Sequence, residues 1–487
     1  MADIIIGREA ECKTLEEIAH SSEAEFLAIY GRRRVGKTYL ITNYFSTKSR
    51  VFFYVTGVQK APLNDQIERF TQEMSRIFYP GLELKPAPNW LASFEKLTQA
   101  MKTQPATEQI VLFFDEIPWL AGPRSKFLSA LDYYWNKHWS RMPNCKLIIC
   151  GSSASWIIKK IINHKGGLHN RITRRIILRP FLLDEVEDYL AFRGIKLPRQ
   201  HIVKLYMAMG GIPHYLKQIK GGLSADQNIN EICFTENGIL FDEFDKLFSS
   251  LFTNPKNYIE IIRLIAKTRQ GSSRVEIENK AKRSQKGGGL SDRLEALEAA
   301  GFITSYIPVD HPQKGLYYRI NDEYTYFYLT WIEPAKKNRL MLEANHHYWM
   351  RAAKSPAFAA WSGYSFEAVC YKHIGQIIRA LRIDTVIRMG SWRYSANSSD
   401  AAGTQIDLLL DRDDEVITLV EIKYSDKAFV LTKAYQRNLL LKIKTYQTVS
   451  KTAKHITLAL IAANGVKENA YSALFTQVVT LDNLFDS

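Results

Sequence analysis

Cysteine is scarce in this sequence. The five among 487 residues (Cys12, Cys145, Cys150, Cys233 and Cys370) are scattered, odd in number and never spaced C-x-x-C. That pattern excludes a disulfide framework and a zinc ribbon, and it points to a reducing, cytoplasmic setting. Long apolar runs are missing too: none approaches the ~18 residues that a membrane-spanning helix requires. The start, Met1 to Glu9, has neither the basic opening nor the long apolar centre of a signal peptide. There is no internal repeat and no low-complexity tract. Acidic residues are in deficit, 50 Asp and Glu against 65 Lys and Arg, for a formal charge of +15. Such an excess favours a polyanionic partner without naming one, since many basic proteins only carry solvated lysines.

What is present divides along the chain, whose length suits roughly three domains of ~100–200 residues. Over the first 180 residues, short apolar strands (26–30, 51–55, 110–114, 146–150 and 175–179) alternate with helical patterns, which predicts a parallel α/β sheet. Residues 181–254 turn helical. Residues 255–325 read as three helices (Tyr258–Lys267, Arg274–Ala281, Gly289–Ala300) and two strands (Phe302–Pro308, Leu316–Ile320) around the turn Asp310–Gly315, a winged-helix pattern. An aromatic-rich helical connector spans 326–360. A last α/β unit, 361–487, contains a helix and strands at 405–410 and 416–422.

Gly31-Arg32-Arg33-Arg34-Val35-Gly36-Lys37-Thr38 fits G-x-x-x-x-G-K-[ST], the loop that cradles the phosphates of a nucleoside triphosphate. It follows the apolar run Phe26–Tyr30 and opens the helical stretch Tyr39–Phe45, so a helix N-terminus would face the phosphates. Lys37 would reach the β and γ phosphates, and the Thr38 hydroxyl would ligate Mg²⁺. A second half-site ends the apolar stretch Ile110–Phe114: Asp115 would hold the Mg²⁺ shell and Glu116 would polarise the attacking water. The run Lys146–Cys150 ends in Gly151-Ser152-Ser153, where Ser152 could meet the γ-phosphate or the water, or simply cap a helix.

These motifs resemble the archaeal-type ATPase family, a branch of the AAA+-related P-loop NTPases close to the signalling STAND group. The resemblance spans residues 4–216. Besides the loop and Phe114-Asp115-Glu116, it includes Ile6-Gly7-Arg8-Glu9, Gly151-Ser152-Ser153, Asn170-Arg171 and Gly210-Gly211-Ile212-Pro213-His214-Tyr215-Leu216. It implies ATP and Mg²⁺ as ligands, with Gly7 and Arg8 near the adenine and Pro213 in a lid close to the nucleotide. Nucleotide contacts are thus expected from Gly7, Arg8, Gly31, Arg32, Arg33, Arg34, Val35, Gly36, Lys37, Thr38, Tyr39, Ser152 and Pro213. In such proteins an arginine placed like Arg171 often enters a neighbouring subunit's site, where it accelerates hydrolysis by ~10³–10⁵. That reading requires a homo-oligomer. The alternative is a surface arginine beside Arg174, Arg175 and Arg179.

From Arg263 to Arg293 there are nine Lys or Arg and three Asp or Glu. Lys280, Lys282, Arg283, Lys286 and Arg293 fall at or beside the second and third helices, as expected of a DNA-facing helix. A winged helix that serves only as a spacer or a protein-docking unit is the alternative.

In the last unit, Asp407 closes Gly403-Thr404-Gln405-Ile406-Asp407 and is followed, fourteen residues on, by Glu421-Ile422-Lys423. Strand alternation puts Glu421 and Lys423 on one face. Two carboxylates on adjacent strands can hold a divalent metal, with Glu367 as a third and Lys423 orienting water. The order resembles the PD-(D/E)XK nuclease superfamily, and a domain of unknown function that accompanies archaeal-type ATPases. Ile406 stands where proline is usual, and Gln405 where an acidic residue is frequent. The residue-level alternative is an Asp at a strand start with an exposed Glu/Lys face.

The expectation is an α/β chain: a P-loop parallel sheet, helical lid, winged helix and C-terminal restriction-endonuclease-like domain. Glu116, Lys37 and Arg171, and separately Asp407, Glu421 and Lys423, are its expected catalytic residues. Thr38 and Asp115, and separately Glu367, Asp407 and Glu421, are its expected metal ligands. The leading reading is a DNA-associated ATPase of the cytoplasm. The alternative is a STAND-like switch with protein partners and an inert nuclease fold.

Overall fold

The computed structural model describes residues 4–46, 51–163, 168, 170–268, 271–281, 288–309, 315–338, 347–394 and 403–486. Two compact units divide the chain, residues 1–180 with 295–301, and residues 181–294 with 302–487.

The first unit is built on five parallel strands, β1 (Glu25–Tyr30), β2 (Val51–Thr56), β3 (Ile110–Asp115), β4 (Cys145–Gly151) and β5 (Arg174–Ile177), in the order β2-β3-β4-β1-β5. Every residue of β1, β3 and β4 is buried, as near-continuous apolar runs covered by helices on both faces require. The core is rich in rings: Phe53, Phe70, Phe94, Phe114, Phe127, Trp90 and Trp139 all pack there. The last strand stops at Ile177, short of the expected 179. Pro180 has no N–H to continue a ladder. In the second unit, the next N–H, that of Phe181, donates to the Gly211 carbonyl at 2.7 Å.

The second unit opens with five helices, Leu183–Phe192, Arg199–Met209, Pro213–Leu216, Ala225–Cys233 and Glu243–Leu251. Helices Pro255–Ala266 and Arg274–Lys280 follow, then Gly288–Ala299, whose last five residues group with the first unit. Ser273 caps the middle one: its hydroxyl accepts the Glu276 N–H, and the Glu276 carboxylate accepts the Ser273 N–H. Beside them lies a three-stranded antiparallel sheet, β6 (Ser272–Ser273), β7 (Ile303–Tyr306) and β8 (Tyr317–Ile320), ordered β6-β8-β7. Lys282, Arg283, Lys286 and the turn 310–314 lie outside the described residues. Of the remaining basic candidates there, Lys280 is exposed and Arg293 half-buried.

The aromatic connector packs by ring contacts; Phe244 and Tyr328, for instance, stack with centroids 4.3 Å apart. The boundary expected at 361 falls inside one helix, Pro356–Lys372, capped by Ser355 and started by proline. The final sheet is mixed: β9 (Val386–Tyr394), β10 (Thr404–Arg412) and β11 (Val416–Lys423) are antiparallel, while β12 (His455–Ala462) and β13 (Gln477–Val479) continue in parallel. A long helix, Lys433–Ser450, packs on this sheet, and its Leu439 and Tyr446 join the core there. Among the described residues no helix is long and apolar enough to cross a membrane.

Candidate functional site

Sheet order explains the first site. With β1, β4 and β3 adjacent, the loops at their carboxyl ends bring the phosphate loop, Ser152 and Asp115-Glu116 together, as open α/β sheets do for ligands. The loop backbone is unusual at its glycines. Gly31 has φ +151°, and a Cβ there would sit 2.2 Å from the Leu178 carbonyl oxygen. Gly36, at φ +95°, caps the helix Lys37–Phe45. Arg34 is also left-handed, and Arg32 is buried while Arg33 is half-buried.

Lys37 is buried, and its ammonium donates to the carbonyls of Gly31 (3.1 Å) and Arg32 (2.9 Å). Burial lowers its pKa, against the pull of Glu116 and Asp115. The Thr38 hydroxyl donates to Asp115 Oδ2 at 2.7 Å. Glu116, in a left-handed turn at φ 47°, accepts at Oε1 from the Ser152 hydroxyl (2.5 Å) and at Oε2 from its N–H (3.2 Å). So Ser152 holds the Glu116 carboxylate. The Tyr54 hydroxyl, which sequence reasoning missed, lies 3.4 Å from Asp115 Oδ2. Its place on β2, next to β3, is legible only from the sheet order.

The N-terminal segment closes one side. Gly7 and Arg8 are both left-handed, Arg8 is buried, and its guanidinium donates to the Val35 carbonyl at 3.4 Å and pairs with Glu11 at 3.7 Å. The Tyr39 hydroxyl donates to the Ile4 carbonyl at 3.2 Å. Arg171 lies just before β5, exposed. Pro213 opens a short helix of the second unit. Its neighbour Gly211 meets Phe181 so closely that a Cβ would lie 1.9 Å from the Phe181 carbonyl oxygen.

Residues 5–219 match an ATPase domain. The matching family is described as an ATPase domain predominantly from Archaea, and the phosphate loop, Asp115-Glu116 and Ser152 all lie in the matched span. Across this ATPase domain and beyond it, the chain is 26% identical over 449 residues to an uncharacterized protein of Methanocaldococcus jannaschii, covering 91% of this chain and 92% of that one. Among solved structures, a Walker-type ATPase of Pyrococcus abyssi aligns with 67% of this chain and 96% of its own, at 20% identity and a TM-score of 0.48. The ORC2 protein of Aeropyrum pernix, solved in ADPNP–ADP complexes, aligns with 69% of this chain and 97% of its own, at 12% identity and a TM-score of 0.44.

The second cluster is in the last sheet. The ladder pairs Leu408 with Val420, so Asp407 and Glu421 occupy the next positions on adjoining strands. Asp407 Oδ2 accepts the Ile422 N–H at 3.0 Å, and its carbonyl accepts the Tyr371 hydroxyl at 2.7 Å. Glu421 accepts from Lys423 (2.6 Å), Lys442 (2.8 Å) and the Tyr435 hydroxyl. Burial raises the Asp407 carboxyl to about 6 and the Glu367 carboxyl to about 8, with the neighbouring carboxylates adding to both shifts. Burial acts on Glu421 in the same direction, but Lys423 and Lys442 outweigh it and its pKa is lowered. Among the described residues no group of three or more His, Cys, Asp or Glu is arranged to hold a metal ion. The trio Glu367, Asp407 and Glu421 therefore does not fit a resident divalent metal here, because two lysines and a phenol already occupy the Glu421 oxygens. Lys442 and Tyr435 were not legible beforehand, since a separate helix delivers them.

Proposed function

We propose that this chain binds ATP with Mg²⁺ and hydrolyses it in the first unit, and that its second unit meets DNA. One observation carries the hydrolysis reading: the 2.7 Å contact between the Thr38 hydroxyl and Asp115, which sets two hard oxygen donors side by side next to the Lys37 ammonium. Such a donor set suits Mg²⁺, which when bound would neutralise charge on the β and γ phosphates. Lys37, now resting on loop carbonyls, would swing to phosphate oxygens. Glu116, released from Ser152, would take the proton of the attacking water. Arg8, through Val35, would steady the loop, with Gly7 beside the adenine. The basic helices, with Lys280 and Arg293, would face DNA, and the compartment would be the cytoplasm. Lys37→Ala is expected to abolish ATP binding, whereas Glu116→Gln should bind ATP normally and turn it over ~10²–10⁴-fold more slowly. Isothermal titration and phosphate release measure the two; normal turnover by Glu116→Gln would refute the role of Glu116.

A second reading is favoured by the pairing of Glu421 with Lys423 and Lys442. In it the nuclease-like sheet is inert and the ATPase works as a STAND-like switch on protein partners. A nicking assay with Mg²⁺ or Mn²⁺ on duplex, single-stranded and branched DNA discriminates. The inert reading expects no cleavage by the wild type, and cleavage that Asp407→Ala abolishes would overturn it.

A further inference from the structure

The end of strand β2 is tied to the Asp115-Glu116 turn more closely than sheet pairing alone requires. The parallel register sets Tyr54 beside Phe113 and Thr56 beside Asp115, so these four side chains share one face of the sheet. Past the strand, the Gly57 N–H donates to the Asp115 carbonyl at 2.9 Å. A Cβ on Gly57 would lie 2.7 Å from the Glu116 carbonyl oxygen and 2.9 Å from the Leu120 nitrogen, so only glycine lets the two turns touch. Gln66, buried on the helix Leu63–Phe78, fixes that turn from behind. Its amide donates to the Val58 carbonyl at 2.7 Å and accepts the Val58 N–H at 3.2 Å.

On this scaffold the Tyr54 hydroxyl reaches Asp115 Oδ2, at 3.4 Å. Its ring stacks against Phe113, with centroids 5.1 Å apart, and lies beside Phe52 at 6.3 Å. Stacking fixes the ring, and the phenol is left a single torsion with which to aim its proton. Asp115 is itself buried, and its other oxygen, Oδ1, accepts the Glu116 N–H at 2.9 Å. The carboxylate is thus held at both oxygens, and rotation about its Cβ–Cγ bond is restrained.

The consequence falls on Thr38. Its hydroxyl has one proton, and that proton goes to Asp115 Oδ2 at 2.7 Å. The hydroxyl lone pairs are left facing away from Asp115, available to a hard cation. A carboxylate free to turn would let the Thr38 proton turn with it. Tyr54, by donating to the same oxygen, keeps the carboxylate plane in place.

We propose that Tyr54 is a positioning residue for the Mg²⁺ of the nucleotide site, acting through Asp115 on the Thr38 hydroxyl. The proposal rests on the reading that the first unit binds ATP with Mg²⁺. It adds a residue from outside the phosphate loop and the Asp115-Glu116 pair, delivered by a strand at the edge of the sheet. In this role Tyr54 acts on the hold of the cation, so nucleotide binding without Mg²⁺ does not depend on its hydroxyl.

The test is a titration of the full chain with a fluorescent ATP analogue, run first in EDTA and then against rising Mg²⁺. Tyr54→Phe keeps the ring stack and removes only the hydroxyl. In EDTA it should bind the analogue as the wild type does. The Mg²⁺ concentration at half-maximal effect should rise about fivefold, the loss of one hydrogen bond to a charged group. ATP turnover at limiting Mg²⁺ should fall far more than turnover at saturating Mg²⁺. Superimposable Mg²⁺ titrations of the two proteins overturn the proposal and leave the ATP reading standing. Weaker binding by Tyr54→Phe in EDTA also overturns it, because the hydroxyl would then serve the fold or the nucleotide directly. A wild-type chain that binds no analogue, with or without Mg²⁺, removes both readings. A wild-type melting temperature in Tyr54→Phe separates the effect from unfolding.

Discussion

At the scale of single residues, the phosphate loop shows how far a local motif reaches. Its glycines are needed for different reasons. Gly31 must lack a side chain because the Leu178 carbonyl oxygen, just past β5, lies 2.2 Å from where Cβ would be, while nothing lies within 4 Å of a Cβ on Gly36. Gly31→Ala is therefore expected to destabilise the first unit by ~1–3 kcal/mol, as overpacking does. Gly36→Ala should cost only the ~1–2 kcal/mol of a left-handed backbone. Chemical denaturation of both variants checks the order; a Gly31→Ala as stable as wild type would remove the close-approach argument. The identity of Lys37, Thr38, Asp115 and Glu116 was legible because each motif is contiguous. The hold of Ser152 on Glu116 was not, because a hydroxyl after a strand serves equally well as a helix cap.

At the scale of elements, His373 ties the start of the second unit to its last domain. Its Nε2 accepts the Leu183 N–H at 3.0 Å, and Nδ1 donates to the Val369 carbonyl at 2.8 Å. Burial is the main cause that lowers its pKa, from 6.5 to about 4. The folded state thus prefers the neutral ring, so its contribution is complete above the unfolded value of 6.5 and is lost as pH falls toward 4. The loss amounts to up to roughly 3 kcal/mol at ~1.4 kcal/mol per pKa unit. Glu367 and Asp407 act on the wild type and the variant alike, so the difference in melting between wild type and His373→Gln should be constant above pH 7 and shrink as pH falls from 6.5 to 4. Equal pH profiles for the two proteins would count against it.

Element positions were legible where apolar residues follow one another in the sequence. All five strands of the first sheet were readable as apolar runs, with ends shifted by one or two residues. Strand β9 escaped notice because most of its residues are partly or fully exposed, so it lacks the alternation of a half-buried strand. The boundary expected at 361 falls inside a helix. Ser355 and Pro356 start a helix that runs on to Lys372, and its apolar residues give no break to read.

At the scale of the whole molecule, the chain forms two units, with the helical segment, the basic helices and the last sheet in the second one. Arg199 illustrates this joining: it pairs with Glu187 in the helical segment and with Asp482 near the C-terminus. Assembly belongs to this scale too. Arg171 is exposed and makes no side-chain hydrogen bond or ion pair among the described residues, as a residue acting on a neighbouring copy requires. If it does so, turnover per chain should rise with protein concentration, and Arg171→Ala should lose both that rise and most of the rate, by up to ~10³-fold. Steady-state assays at several concentrations decide it; a wild-type rate with unchanged concentration dependence removes the idea.

The sequence by itself determined the parts whose meaning is local: the apolar strands, the phosphate loop, Asp115-Glu116, and the Asp407 and Glu421-Ile422-Lys423 motifs. A few consecutive side chains and their backbone conformation suffice for each. Only the tertiary structure decided which of them meet, and with what. Thr38 reaches Asp115 across the order of the first sheet. Glu421 is paired with Lys442 from a separate helix, and Tyr54 of β2 meets Asp115 at the end of β3. Contacts between residues far apart in sequence depend on strand order and helix packing, which summed burial over the whole chain sets and no short motif encodes.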